Sequence, residues 1–296
     1  MKSFRSIWLL TVFVATRALA QDDDGQSPME KSVAGLNHYG AYNVTSTPEL
    51  CSLSAAMKYV GPKFLRDDFA IPTGTPRYVG DDLRQFTAIL NDAYSVLGLS
   101  GDLAVRRHYI CVGLYDYHPT PNAMSYSQGY IAIDPRIVES LYQSGTTHAV
   151  SFLLLHEFGH QLQYWFGTRM TYYPTTRGVE LTADCIGAAL DTMRWWRSKQ
   201  ALDEHSMNAM LASIAAMGNY DFHNPYHHGT PYQRMRATVA GVNLVKSYYQ
   251  KRRTQLPSGI TALDLVNACG EFVQKTDEKY GENWPPIPNT WSPGKL

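Results

Sequence analysis

The sequence predicts an α+β fold: a small antiparallel sheet, in effect a hairpin with an edge strand, packed on a mainly helical core. Three observations carry this. Short β-rich runs separated by turn residues occupy the stretch from 109 to 134, and from 137 onward apolar residues recur at helical spacing. A chain of 296 residues, 44% hydrophobic and 12% aromatic, can bury a large core and is neither disordered nor fibrous. No repeat or low-complexity tract interrupts the order, so residues 49 to 296 are expected to form one domain.

The N-terminus reads as an address. Lys2 and Arg5 precede an apolar run from 7 to 14, and Ala18-Leu19-Ala20 is the small-x-small sequence cut by signal peptidase, placing cleavage after Ala20. The run is too short for the roughly 20 apolar residues of a membrane span. The mature chain is therefore expected to be secreted or periplasmic, with no stable membrane insertion. The whole chain has 26 basic and 26 acidic residues, and removing Lys2, Arg5 and Arg17 leaves it slightly acidic, which argues against nucleic acid as a partner. Residues 21 to 48 are polar and Gly-containing, a loose leader. Four cysteines allow three pairings, and none lies in a C-x-x-C. Keeping each bridge within one half of the chain suggests Cys51 with Cys111 and Cys185 with Cys269; buried free thiols are the alternative.

The elements follow in order. Leu83, Phe86, Ile89, Leu90, Ala93, Val96 and Leu97 place a helix over 82–98, ended by Gly98. A short buried strand is expected over 109–112, then turn residues over 117–122 and a hairpin over 123–134 around Ser127-Gln128-Gly129. A helix over 147–166 has a centre, Phe152-Leu153-Leu154-Leu155, that is apolar all round and so must be buried. The next helix, 178–196, ends among Arg194, Arg197 and Lys199, cations favoured at a helix C-terminus. A third spans 204–217 and stops at Gly218. A fourth opens with Thr230 as N-cap, Pro231 in the first turn and Gln233 completing a capping box. A fifth follows Thr261 and ends near Gly281.

His156-Glu157-Phe158-Gly159-His160 is H-E-x-x-H inside the buried helix. Histidines four apart lie one above the other, so both imidazoles can reach one zinc ion at 2.0 to 2.1 Å. Glu157 points about 100° round the axis from His156, poorly placed as a ligand but suited to act as a general base on a water. Chance alone gives this pattern about once in a hundred chains of this composition. Without a metal, three polar groups in an apolar helix would each cost roughly 1 to 3 kcal/mol if left unpaired. A third ligand must come from elsewhere. Gln163 and Phe166 stand where a metzincin needs Gly and His, which excludes that class. The next helix offers Glu180 and Asp184, like charges four apart that weaken an isolated helix. Glu180 on the metal and Asp184 behind a ligating histidine would give them a reason.

From His156 to Asp184 the residues resemble the gluzincin metallopeptidases, in which H-E-x-x-H is followed by E-x-x-x-D. They are most similar to the neutral zinc metallopeptidase group of bacteria, through Glu180-Leu181-Thr182-Ala183-Asp184-Cys185 and His228-Gly229-Thr230-Pro231-Tyr232-Gln233-Arg234. The resemblance covers residues 120 to 240 and implies a zincin-like core, one Zn2+ per chain and peptide hydrolysis. It implies His156, His160 and Glu180 as ligands, Glu157 as catalytic base, and His228 as a donor to the oxyanion. Arg234 would orient Glu180 or a substrate carboxylate. Tyr172, Tyr173, Tyr226 and Tyr232 are equivalent candidates for an oxyanion donor. Asn122, Ala123 and Met124 resemble the start of the edge strand on which gluzincins lay a peptide or protein substrate. Two other readings use the same residues: a secreted binding protein with a structural or vestigial zinc site, and a zinc amidase acting on a non-protein amide. The segment from Gly218 to Tyr232 is a candidate lid.

Overall fold

A computed structural model describes residues 79–99, 111–114, 122–126, 130–143, 147–166, 175–198, 204–218, 220, 227–252 and 260–287. The signal segment, the leader, Cys51 and hence the Cys51–Cys111 pairing, Tyr172, Tyr173, Tyr226 and part of the expected lid (219 and 221–226) lie outside them.

The elements are α1 (Val79–Val96), β1 (Cys111–Leu114), β2 (Ala123–Tyr126), β3 (Tyr130–Ile133), α2 (Pro135–Gln143), α3 (Thr147–Phe166), α4 (Thr176–Arg197), α5 (Glu204–Met217), α6 (Pro231–Arg252) and α7 (Ala262–Tyr280). Helices dominate and one small sheet accompanies them, an α+β architecture. The sheet differs from the expectation of antiparallel strands throughout. Its order is β1-β3-β2; β2 and β3 form the antiparallel hairpin, but β1 lies parallel to β3. The chain leaving β1 reaches the far side of β3 before forming β2, so β3 is inserted between them. Side-chain alternation records which face of a strand is buried and says nothing about which neighbour it pairs with. β1 runs to Leu114, two residues beyond the expected end, and residues 109 and 110 lie outside the described residues. Helix α2 was not anticipated as a separate element. Buried Asp134 starts it, accepting from the Arg136 backbone N–H at 2.8 Å and from its guanidinium at 2.9 and 2.7 Å.

Helix α3 is central, with Phe152, Leu153, Leu154, Leu155 and Phe158 all buried. Phe86, Leu90 and Ala93 of α1 and Ile131 and Ile133 of β3 share one core with it. Each of the Phe, Leu and Ile side chains contributes about 1.5 to 3 kcal/mol by leaving water. Helix α4 lies between α3 and α6, and glycines set the spacing. A Cβ on Gly187 would stand 2.9 Å from the backbone N of His156, and one on Gly159 3.2 Å from the Ala183 carbonyl. The α3 and α4 backbones therefore touch beside the H-E-x-x-H. On the other side of α4, a Cβ on Gly241 would fall 2.1 Å from the Cys185 carbonyl oxygen. Cys185 and Cys269 are joined, as expected, with Cα atoms 5.6 Å apart, fastening α4 to α7. Among the described residues no helix is long and apolar enough to cross a membrane.

Gly241→Ala should consequently force α6 away from α4 and cost on the order of 1 to 3 kcal/mol, read as a lower urea midpoint. An unchanged midpoint would show that the two helices have room to spare.

Candidate metal centre

Thr175 caps α4, its hydroxyl accepting from the Gly178 N–H at 3.2 Å, and the helix then carries Glu180 and Asp184 past the H-E-x-x-H face of α3. The His156 and His160 rings stand with centroids 4.8 Å apart and planes at 88°. Glu180 faces both: its Oε2 lies 3.3 Å from His156 Nε2 and its Oε1 3.4 Å from His160 Nε2. All three donor atoms fall within 4.8 Å of one another. Ligand atoms about 2.05 Å from a tetrahedral metal ion are separated by about 3.3 Å, and the two carboxylate-to-imidazole spacings, one to each oxygen of Glu180, are of that size. The donor set, two nitrogens and one carboxylate, is also one that leaves a coordination position open in zinc enzymes. Buried His156 and His160 together with Glu180 thus form a cluster able to hold a metal ion.

A second layer supports it. His156 Nδ1 lies 2.9 Å from Asp184 Oδ1, placing Asp184 behind that histidine as expected. Arg234, one turn into α6, grips Asp184 with two bonds of 2.8 Å, Nε to Oδ2 and Nη2 to Oδ1. The expectation that Arg234 orients Glu180 or a substrate carboxylate is therefore corrected. The guanidinium is buried beside a carboxylate that is itself fully buried, and two parallel hydrogen bonds to Asp184 satisfy both. Glu180 instead has His228 as a neighbour, Nδ1 to Oε2 3.2 Å, with His228 29% exposed and so open to a ligand. Gly229, at φ 102°, links His228 to the Thr230 capping box. The Thr230 N–H donates to Gln233 Oε1 at 2.8 Å, and the Gln233 N–H to Thr230 Oγ1 at 3.2 Å. Tyr232 is on the first turn of α6 and exposed.

Gln163, which served in the sequence only to exclude the metzincins, supports the other histidine. Its Oε1 is 2.8 Å from His160 Nδ1 and its Nε2 donates to the Val179 carbonyl at 2.9 Å. Its position three residues beyond His160, on the same helical face, was the available signal.

Burial and charge oppose each other here. Burial would depress the His156 imidazole, but the Asp184 and Glu180 carboxylates outweigh it and raise its pKa to about 10. Burial would raise Glu180, yet His228, His160 and His156 hold it well below the usual carboxylate value. Asp184 is likewise lowered by Arg234 and His156 against its burial. Glu157 is pushed up by burial, which exceeds the pull of His156 and His160. In the metal-free protein His156 therefore carries a proton at neutral pH that a metal must displace. Its contribution to stability is complete below pH 6.5 and is lost as pH rises through about 10. Zinc binding at pH 7 should release about one proton, measured calorimetrically in buffers of different ionisation enthalpy. A binding heat independent of buffer would remove His156 from the ligand set.

The edge strand lies alongside. Asp134 N–H donates to the Asn122 carbonyl at 2.9 Å, and in this register the backbone groups of Ala123 and Ser125 face away from β3. Asn122 Oδ1 accepts the Ala123 N–H at 2.9 Å, and Tyr164 OH donates to the Ser125 carbonyl at 3.2 Å. Gln161, next to His160, donates to Ser125 Oγ. Ala123 is thus on the free side of β2, whereas the Asn122 and Met124 backbones are turned towards the β3 side.

No protein-family model matches the chain, and neither a curated protein nor a solved structure matches it.

Proposed function

We propose that this chain is a secreted zinc metallopeptidase with a zincin-like core, which hydrolyses peptide bonds. The observation that carries the reading is the convergence of His156, His160 and Glu180 at carboxylate-to-imidazole distances of 3.3 and 3.4 Å, with Glu157 on the same helix. Bound zinc would supply a Lewis acid that polarises a carbonyl and acidifies a water. The Glu157 carboxylate accepts a proton from the attacking water and delivers it to the leaving nitrogen. Burial of Glu157 raises its proton affinity in the sense that such a base needs. His228, beside Glu180 and partly exposed, donates to the carbonyl oxygen as it gains charge. An extended substrate lies along β2, where the Ala123 carbonyl and Ser125 N–H face outward, so backbone hydrogen bonds provide affinity with little demand on side chains.

The test pairs metal quantification on the mature chain with digestion of a mixed peptide library. One zinc per chain and cleaved peptides are expected. Bound zinc with an intact library would favour a structural zinc site or an amidase acting on other amides.

A further inference from the structure

We propose that Gln163 is a positioning residue that fixes His160 as a ligand, by holding the imidazole in the tautomer with its hydrogen on Nδ1. The inference rests on the metal-centre reading above. Gln163 is buried, and its amide bridges two groups, His160 Nδ1 at 2.8 Å and the Val179 carbonyl at 2.9 Å. A peptide carbonyl can only accept, so the amide NH2 must face Val179. The amide oxygen then faces His160, and as an acceptor it requires a hydrogen on Nδ1. The lone pair of His160 is left on Nε2, the atom that lies 3.4 Å from Glu180 Oε1. One backbone carbonyl thus decides, through one side chain, which nitrogen of a histidine is available to a cation.

Two features make Gln the fitting residue. His156 already has an ionised carboxylate behind it, neutralised by Arg234. A second carboxylate behind His160 would add a buried negative charge with no cation paired to it, whereas the neutral amide accepts the same hydrogen bond without that cost. Val179 also directly precedes Glu180, so the Gln163 bridge ties the α3 ligand to the turn of α4 that carries the third ligand. Losing it should loosen both.

The test uses the full mature chain. In the zinc-loaded parent, nitrogen-detected NMR should show His160 protonated on Nδ1, with Nε2 as the coordinating atom. Gln163→Leu should bind zinc about 10- to 100-fold more weakly in chelator competition, and alter the visible spectrum of the cobalt form. Gln163→Glu, which restores an acceptor for His160, should return zinc affinity to the parental value or above, even if it melts earlier for want of a donor to Val179. Parental zinc affinity in Gln163→Leu, or His160 protonated on Nε2, would overturn the proposal while leaving the metal centre intact. Absence of zinc binding by the parent would instead overturn the metal-centre reading and this inference with it. Should Gln163→Leu fail to fold, the tautomer measured in the parent decides the matter alone.

Discussion

Glu157→Gln should retain zinc at one per chain while peptide turnover falls on the order of a thousandfold. The substitution is nearly isosteric and removes only ionisation, so the packing around a buried helical position is kept. Glu157 lies round the helix from the two histidines and is not in the His156, His160, Glu180 donor set, so the metal loses no ligand. What disappears is the group that can take and return a proton, an effect of about 100- to 10,000-fold where general bases have been removed. Because burial disfavours the Glu157 carboxylate, a neutral amide there should leave the protein as stable as before or more so. Metal content, melting temperature and turnover on one preparation separate the cases. Parental turnover would remove Glu157 from the mechanism. Loss of zinc would make it a ligand. Glu180→Gln is the contrasting variant, expected to lose metal and turnover together.

Residues that repeat at a fixed local spacing were legible in the sequence. His156 and His160 are four apart on one helix, as are Glu180 and Asp184, and helical geometry turns that spacing directly into a shared face. The capped start at Thr230 and the Cys185–Cys269 bridge were also foreseen. The close approach of helix backbones was not. Nothing local in Gly187 or Gly241 states that another backbone passes within van der Waals distance, yet those glycines allow α4 to be sandwiched between α3 and α6. Arg234 was expected to orient Glu180 or a substrate carboxylate, and its pairing with Asp184 instead depends on how deep α6 packs against α4. The parallel pairing of β1 with β3 was equally illegible, since alternation within a strand marks its buried face and not its neighbour.

Arg234→Met should destabilise the protein by about 3 to 5 kcal/mol and weaken zinc binding, and the two losses are linked. Asp184 is fully buried, and the variant deprives it of both 2.8 Å bonds and of the counter-charge that lowers its pKa. In the metal-free protein the cost should fall at the lower end of that range. His156, its pKa raised to about 10, still offers Asp184 a positive partner 2.9 Å away. With zinc bound, His156 must give up that proton to coordinate, and Asp184 then depends more heavily on Arg234. The greater penalty in the loaded state appears, by linkage, as lost zinc affinity, of the order of 10- to 100-fold. The pH dependence has a definite sign. In the parent, the depressed Asp184 adds stability above its ordinary value of 3.8 that is lost as pH falls further. Without Arg234 burial acts with less opposition, Asp184 protonates at higher pH, and the stability gap between parent and variant should narrow between pH 7 and 4. Combining Arg234→Met with Asp184→Asn leaves no charge stranded and should recover part of the stability, though not the zinc affinity, because an amide holds His156 less strongly than a carboxylate. Urea unfolding at both pH values, with and without zinc, measures each corner of this cycle. A stability loss in Arg234→Met equal in the loaded and metal-free forms would show that Arg234 supports the fold alone and has no hold on the metal.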